Sequence, residues 1–210
     1  MAVIDLTRPD PQVLESARQF FKRMNRLMVL MWRLGLGKYL NAYPDVGGRI
    51  MVIVHTGRKT GITRYTPVNY THMNDDLVCT AGFGAGSDWY KNIMAQPTID
   101  VWLPDGSWHA IAEDVSSDPD RLLMMRQVLI ASGIVAPMIG FNPKTMSNED
   151  LDAATHDYRL VRIRLTEKLP SEPGKTVRVY PYIKYIPLAL AALIASAILL
   201  KRKFNHMRTA

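Results

Sequence analysis

Between residues 49 and 115 the chain sets short strand-like runs, and within 49–81 and 98–115 only a few residues separate one run from the next. Parallel neighbours need a connection of about a dozen residues or more, so this spacing points to antiparallel strands. Arg49–Thr56, Arg64–Met73 and Leu77–Ala81 are rich in β-branched and apolar residues. A glycine-flanked turn at 57–61 and the turn Asn74-Asp75-Asp76 separate them. Pro67 suggests an edge or a bulge in the second run. Thr98–Leu103 and Ser107–Val115 flank Pro104-Asp105-Gly106, a hairpin signal. Tyr158–Leu165 alternates and reads as a closing strand. Two helices interrupt the series. One is predicted over Asp88–Gln96, stopped by Pro97. The other is predicted over Asp118–Ser132, capped by Asp118 with Pro119 at its first position. The order β-β-β-α-β-β-α-β defines an α+β, mainly β chain built on a small barrel, and it argues against a doubly wound parallel sheet.

Composition narrows what surrounds that barrel. With 48% hydrophobic and 21% charged residues, the chain is neither disordered nor collagen-like. A single cysteine, Cys79, leaves no internal disulfide and no multi-cysteine metal site; it reads as a buried strand thiol. The net charge of +7 is carried by the ends. Beyond Glu172 come Lys175, Arg178, Lys184, Lys201, Arg202, Lys203 and Arg208 with no acid, while residues 16–40 hold Arg18, Lys22, Arg23, Arg26, Arg33 and Lys38, also without an acid. Basic ends around a slightly acidic middle suit a membrane surface better than a nucleic acid, which is usually bound by charge on the folded domain.

Two segments read as membrane elements. The run 185–200 (YIPLALAALIASAILL) carries no charge and is closed by Lys201-Arg202-Lys203. It is a little shorter than the roughly 17–25 residues of a typical span. A buried C-terminal helix of a soluble core is the alternative. Residues 12–34 form an amphipathic helix in which Phe20, Met24, Leu27, Met31 and Leu34 make an apolar stripe. It suits a membrane interface or packing on its own domain, and Gly35 and Gly37 end it. The expected layout is an N-terminal helical segment (1–44), the barrel (45–168), a linker (169–184), and a hydrophobic C-terminal helix with a basic tail (185–210). The barrel is expected on the cytoplasmic side of a membrane.

Two loops carry chemistry. Thr56-Gly57-Arg58-Lys59-Thr60-Gly61, followed by Arg64, is a basic glycine turn between strands; backbone N–H groups with nearby cations make a phosphate cradle. It is not a Walker A loop, because the spacing differs and no helix follows. The second loop, Gly82-Phe83-Gly84-Ala85-Gly86-Ser87, leads directly into the helix that begins Asp88-Trp89-Tyr90, and glycine-rich backbone at a helix start accepts anions and flat ligands. His55 and His72 read as structural or rim residues with no third ligand nearby, and Asp75-Asp76 reads as a turn. Met124, Met125 and Met138 read as core, and residues 134–141 as a candidate apolar lid.

Taken together, HTGRKTGITRYTPVNY and, one strand later, GFGAGSDWYKNIMAQPTIDVWL resemble the deazaflavin-dependent nitroreductase family over about residues 45–166. The resemblance implies a split β-barrel of the FMN-binding type, coenzyme F420 as cofactor with FMN as the alternative, and reduction of lipophilic acceptors such as quinones or nitro compounds. It implies that Arg58, Lys59, Thr60 and Arg64 hold the phosphate and glutamyl tail. Thr66, Pro67 and Val68 would lie along the deazaflavin ring. Gly84, Ala85, Gly86 and Ser87 would approach ring and linker through backbone N–H groups, and Trp89, Tyr90 and Asn92 would line or brace the pocket. Some relatives carry a lysine where this chain has Gly86-Ser87, and some carry tyrosines before the last strand where this chain has Phe141. No proton donor is assigned. A homodimer, common among split-barrel relatives, is left open. The alternative function is a membrane-attached, non-catalytic binder of a flavin-like cofactor or a lipid; a third is a barrel serving only to dock a partner.

Overall fold

A computed structural model describes residues 24–138 and 142–170. The run 185–200 and the first half of the 12–34 helix lie outside those residues. The chain divides into two units, Met1–Lys175 and Thr176–Ala210, and the description below is of the first. Among the described residues no helix is long and apolar enough to cross a membrane.

Six strands close into an antiparallel barrel in the order β1-β2-β3-β6-β5-β4: β1 (Ile50–Thr56), β2 (Thr63–Met73), β3 (Asp76–Ala81), β4 (Thr98–Leu103), β5 (Gly106–Asp114) and β6 (Arg159–Lys168). Every pairing is antiparallel, and for the hairpins β1-β2, β2-β3 and β4-β5 the short spacing of the runs requires it. Closure pairs most of the strand edges, while residues 63–69 of β2 pair with β1 alone. Pro67 pairs with Val52 of β1, while β3 covers only Tyr70–Met73 of β2. The missing proline N–H therefore falls where the strand has a neighbour on one side only.

Alternation along the strands sorts the side chains into two faces. Met51 and Ile53, Val68 and Tyr70, Leu77 and Cys79, Ile99 and Val101, Ala110 and Ala112, and Val161 and Ile163 share the interior cluster. The helix α4 (Asp88–Ala95) adds Tyr90 and Ile93 to that cluster. Outside β3 and β6 a second cluster forms around Val78 and Leu160. It is covered by Met124, Met125, Val128 and Leu129 of α5 (Arg121–Ala131) and by Leu151 of α7 (Asn148–Thr155).

The described part of the first helix, α1 (24–33), buries Met31 and Trp32 and leaves Leu27 41% exposed. Its buried face is thus rotated from the Leu27 row expected from periodicity. Trp32 lies against Gly37 of α2 (Gly37–Leu40), where an added Cβ would sit 2.2 Å from the indole, and Arg33 stacks 4.5 Å over the Tyr65 ring. The short helices α3 (Pro44–Gly47) and α6 (Val135–Met138) complete the described residues.

Several boundaries differ from expectation, and β6 runs on to Lys168. The helix predicted from Asp118 begins three residues later. Asp118 caps no helix: its carboxylate accepts from the Asp120 N–H at 2.9 Å and pairs with Arg162 at 3.1 Å. Gly106 belongs to β5 rather than to the turn, pairing with Leu103 across a two-residue loop. Its φ of 143° is open to glycine alone. The helix α7 was not expected at all.

Candidate functional site

The two loops singled out in the sequence meet. The first hairpin turn closes with Gly57 N–H donating to Ile62 O at 2.9 Å and Gly61 N–H to Gly57 O at 2.8 Å, with Gly61 at φ 66°. Beside it, residues 84–86 make one 3-10 turn that runs through Ser87 into α4. Arg58 ties the two together. Its guanidinium Nη1 donates to Asn92 Oδ1 at 2.8 Å and to Asp88 Oδ1 at 3.2 Å, and its backbone N–H donates to the same Asn92 oxygen at 3.1 Å. Asp88 and Asn92 are four residues apart and so lie on one face of α4. Asp88 also sits in the first turn, where the helix dipole favours a carboxylate.

The chain of contacts continues inward. With Asn92 Oδ1 occupied by two Arg58 donors, the amide NH2 faces His55 Nδ1 at 3.4 Å, and His55 Nε2 stands 3.1 Å from Thr66 Oγ1. His55 is 4% exposed. Burial, with a smaller contribution from the Arg64 charge, lowers its pKa below the ordinary histidine value despite an opposing backbone hydrogen bond.

The remaining expected site residues fall into three groups. Lys59, Thr60 and Arg64 are exposed on the hairpin, and neither Lys59 nor Arg64 has an ion-pair partner among the described residues. Thr66 and Val68 pair with Ile53 and Met51 and share the interior face, whereas Pro67 pairs with Val52 on the opposite face, so the three do not line one surface together. Gly84 is buried at φ 63°, and a Cβ there would lie 2.5 Å from Asp157 O; Ala85 and Gly86 are exposed, with nothing within 4 Å of a Cβ at Gly86. Ser87 precedes α4 without capping it, and its buried hydroxyl has no hydrogen-bond partner among the described residues.

Trp89 and Tyr90 meet edge-on, ring centroids 6.5 Å apart. Tyr90 points into the barrel and donates its hydroxyl to the Asp114 carboxylate. Burial and that bond push its pKa up to about 12. Tyr90 thus braces α4 from within. His55 was expected to be a structural or rim residue; its position two residues before Gly57 is the sequence sign that it joins the site.

The two glycines of the second loop make opposite predictions. Gly84→Ala should destabilise the protein by about 1–3 kcal/mol for a left-handed non-glycine residue alone, before the clash with Asp157 O is relieved. Gly86→Ala should stay within about 0.5 kcal/mol of the parent. Urea midpoints read both; equal midpoints would mean that the 84–86 turn does not hold this shape in solution.

These residues fit an anionic, flat cofactor. The hairpin presents two cations without internal ion pairs, the Gly86 backbone is open to close approach, and the Ser87 hydroxyl waits unpartnered at a helix start. The described residues thus form a closed antiparallel barrel whose basic hairpin turn is joined by Arg58 to the start of α4. Residues 25–133 match the F420H(2)-dependent quinone reductase family. The match covers about half of the chain, and the chain belongs to that family. It is therefore an oxidoreductase of an F420-using family. No curated protein matches it significantly by sequence.

Among solved structures it is similar to an F420-H2 dependent reductase, FDR-A, at 20% identity and a TM-score of 0.40, over 56% of this chain and 94% of that one. It is also similar to the heme storage protein HutZ of Vibrio cholerae at 10% identity and a TM-score of 0.43, over 59% and 86% of the two chains. A heme binding protein from Mycobacterium smegmatis gives 12% identity and a TM-score of 0.39, over 64% and 51%. These likenesses are partial, and nothing about this chain's ligand follows from them.

Proposed function

We propose that the protein is an F420H2-dependent reductase of a lipophilic acceptor, a quinone in the first instance, and that it works at the cytoplasmic face of a membrane. The observation that carries the reading is the joined site: a basic hairpin turn with two cations that have no ion-pair partner among the described residues, held by Arg58 to the start of α4. Lys59, Thr60 and Arg64 would hold the anionic tail by charge-assisted contacts. The backbone of Ala85 and Gly86 would lie against the ring, with Thr66, Val68 and Trp89 shaping the pocket wall. Arg58 and Asn92 brace the two loops, and Gly84 and Tyr90 fix the second loop and its helix. When bound, the cofactor supplies a hydride. The chain's own work is to hold, orient and shield.

Membrane attachment rests on the uncharged run 185–200, its Lys201–Lys203 border and the basic segment 16–40. Placing the barrel at the bilayer raises the local concentration of a hydrophobic acceptor. Lipid remains the second acceptor class.

Anaerobic titration with reduced F420 and with FMN, followed by addition of a menaquinone analogue in liposomes, tests the reading. Micromolar binding of F420 with quinone-dependent oxidation is expected. Binding without turnover would favour a non-catalytic carrier, and no binding would remove the cofactor assignment. Truncation after Arg178 should release the protein from carbonate-washed membranes and slow turnover of the membrane quinone more than that of a water-soluble one. Equal distribution and rates for both chains would remove the membrane from the proposal.

A further inference from the structure

The four side chains running from Asp88 to His55 form one directional hydrogen-bond chain, and its direction has a consequence for the site. Arg58 has only donors to give, so both of its bonds to Asn92 must end on the amide oxygen. The Asn92 NH2 is thereby turned to His55, and His55 Nδ1 must be an acceptor. The ring proton then sits on Nε2 and points at Thr66 Oγ1. One protonation state of one buried imidazole, Nε2–H with Nδ1 bare, is compatible with all of these contacts.

We infer that His55 is a positioning residue for the cofactor site: as the neutral Nε2–H tautomer it latches the Arg58 turn to α4 through Asn92, and its protonation releases the latch. The inference rests on the cofactor reading above and adds to it a residue outside the expected binding set. A proton on Nδ1 would face the two amide hydrogens of Asn92. If the amide rotated to accept it, Asn92 would present NH2 to Arg58 and forfeit both Arg58 bonds. The first arrangement costs the His55–Asn92 contact and the second costs both Arg58–Asn92 bonds, which leaves the hairpin held to α4 by Arg58 and Asp88 alone and loosens the placing of Lys59 and Arg64.

The charges around His55 act in the same direction, and the Thr56 backbone hydrogen bond, which favours the charged ring, opposes them. Arg64 faces it from β2 as its cross-strand partner, and Arg58 lies beyond Asn92. On α4 the nearest acid, Asp88, is engaged by Arg58. From β4, Asp100 is paired with Val54, on the opposite face of the sheet from His55, and bonds His109. No carboxylate among the described residues is bonded to His55, and burial also disfavours the imidazolium. The sign follows. The unfolded chain takes up a proton near the ordinary histidine value, the folded chain only below it. The latch is whole above that value and opens as pH falls toward the lowered one.

The test compares the full-length parent with His55→Asn and His55→Leu. Asparagine keeps an acceptor near the Nδ1 position and does not titrate; leucine removes it. F420 affinity of the parent should fall about five- to tenfold between pH 7.5 and 5.5. His55→Asn should retain most of the affinity at pH 7.5 and lose at least half of that pH dependence, the cofactor's own titration being common to both proteins. His55→Leu should bind weakly throughout, with a thermal melt at pH 7.5 showing whether it folds. A readout free of cofactor accompanies these. The 15N spectrum of the unliganded parent should show His55 as the Nε2–H tautomer at pH 7.5, with the Arg58 and Asn92 signals shifting together as it protonates. An Nδ1–H tautomer, an affinity that rises as pH falls, or matching pH profiles for parent and His55→Asn would each overturn the latch. Should the parent fail to bind F420 at any pH, the cofactor reading falls, and the tautomer and the coupled shifts still decide the latch.

Discussion

Replacing both Lys59 and Arg64 by alanine should weaken F420 binding by roughly a hundredfold while leaving the melting temperature of the unliganded protein unchanged. Neither side chain makes an ion pair or a hydrogen bond with another described residue, so folding loses little when they go. A charge-assisted hydrogen bond to a bound anion contributes about 1.5–3 kcal/mol. Both cations are exposed, and solvent screening favours the lower end of that range. Two contacts of about 1.5 kcal/mol give about 3 kcal/mol, or two decades in affinity. The parent's affinity should also fall as salt rises, and that dependence should flatten in the double variant. Arg58→Ala is the contrasting case. Its side chain bonds Asp88 and Asn92, so both the melting temperature and the affinity should drop. A double variant that binds F420 as tightly as the parent would remove the cradle.

The contrast between Arg58 and its neighbours marks where the sequence stopped being informative. Arg58, Lys59 and Thr60 look alike as a string: polar or cationic, between Gly57 and Gly61 in a turn. Which cation is consumed internally depends on Asp88 and Asn92, about thirty residues away, and no local pattern carries that information. The strands were legible because alternation and turn chemistry are local. Which face of β1 and β3 is interior was not legible, because Val52 and Val78 on the outer face are as buried as Met51 and Leu77, while Pro67 marked the part of β2 that has a neighbour on one side only.

Closure of the barrel through β1 against β4 and β3 against β6 depends on pairings 50 and 86 residues apart, at Val52 with Trp102 and at Leu77 with Ile163. The closing role of the last strand could be expected only from its position in the order. The helix α7 escaped because it is short and polar, burying only Leu151 and Thr155. Its start was nonetheless written in Ser147-Asn148-Glu149-Asp150: the Ser147 hydroxyl accepts from Asp150 N–H at 3.0 Å. The start of α5 misled for the opposite reason. Asp118-Pro119 has the form of a cap and first residue, but the aspartate is held by Asp120 and Arg162 before the helix begins.

Ile93→Ala should cost both stability and cofactor affinity, and comparison with Met125→Ala separates the two effects. Ile93 and Met125 are each 0% exposed, and they belong to different clusters. Truncation of either to alanine removes about 2–5 kcal/mol of folding stability, through lost transfer energy and the cavity left behind. Ile93, however, seats α4 in the barrel interior beside Tyr90. An eight-residue helix has little stability of its own and holds its place by tertiary contacts. On one side of Ile93, Asn92 carries the bond to Arg58; one turn earlier, Ser87 and Asp88 end the second loop. Loosening Ile93 therefore disturbs both halves of the site at once. Met125 packs under α5 outside the barrel and bonds to neither loop. In urea both variants should unfold at clearly lower midpoints than the parent. Under native conditions Ile93→Ala should bind F420 about tenfold or more weakly, a change of about 1.4 kcal/mol, whereas Met125→Ala should bind within twofold of the parent. Equal affinities in the two variants would show that α4 is not the element that places the second loop.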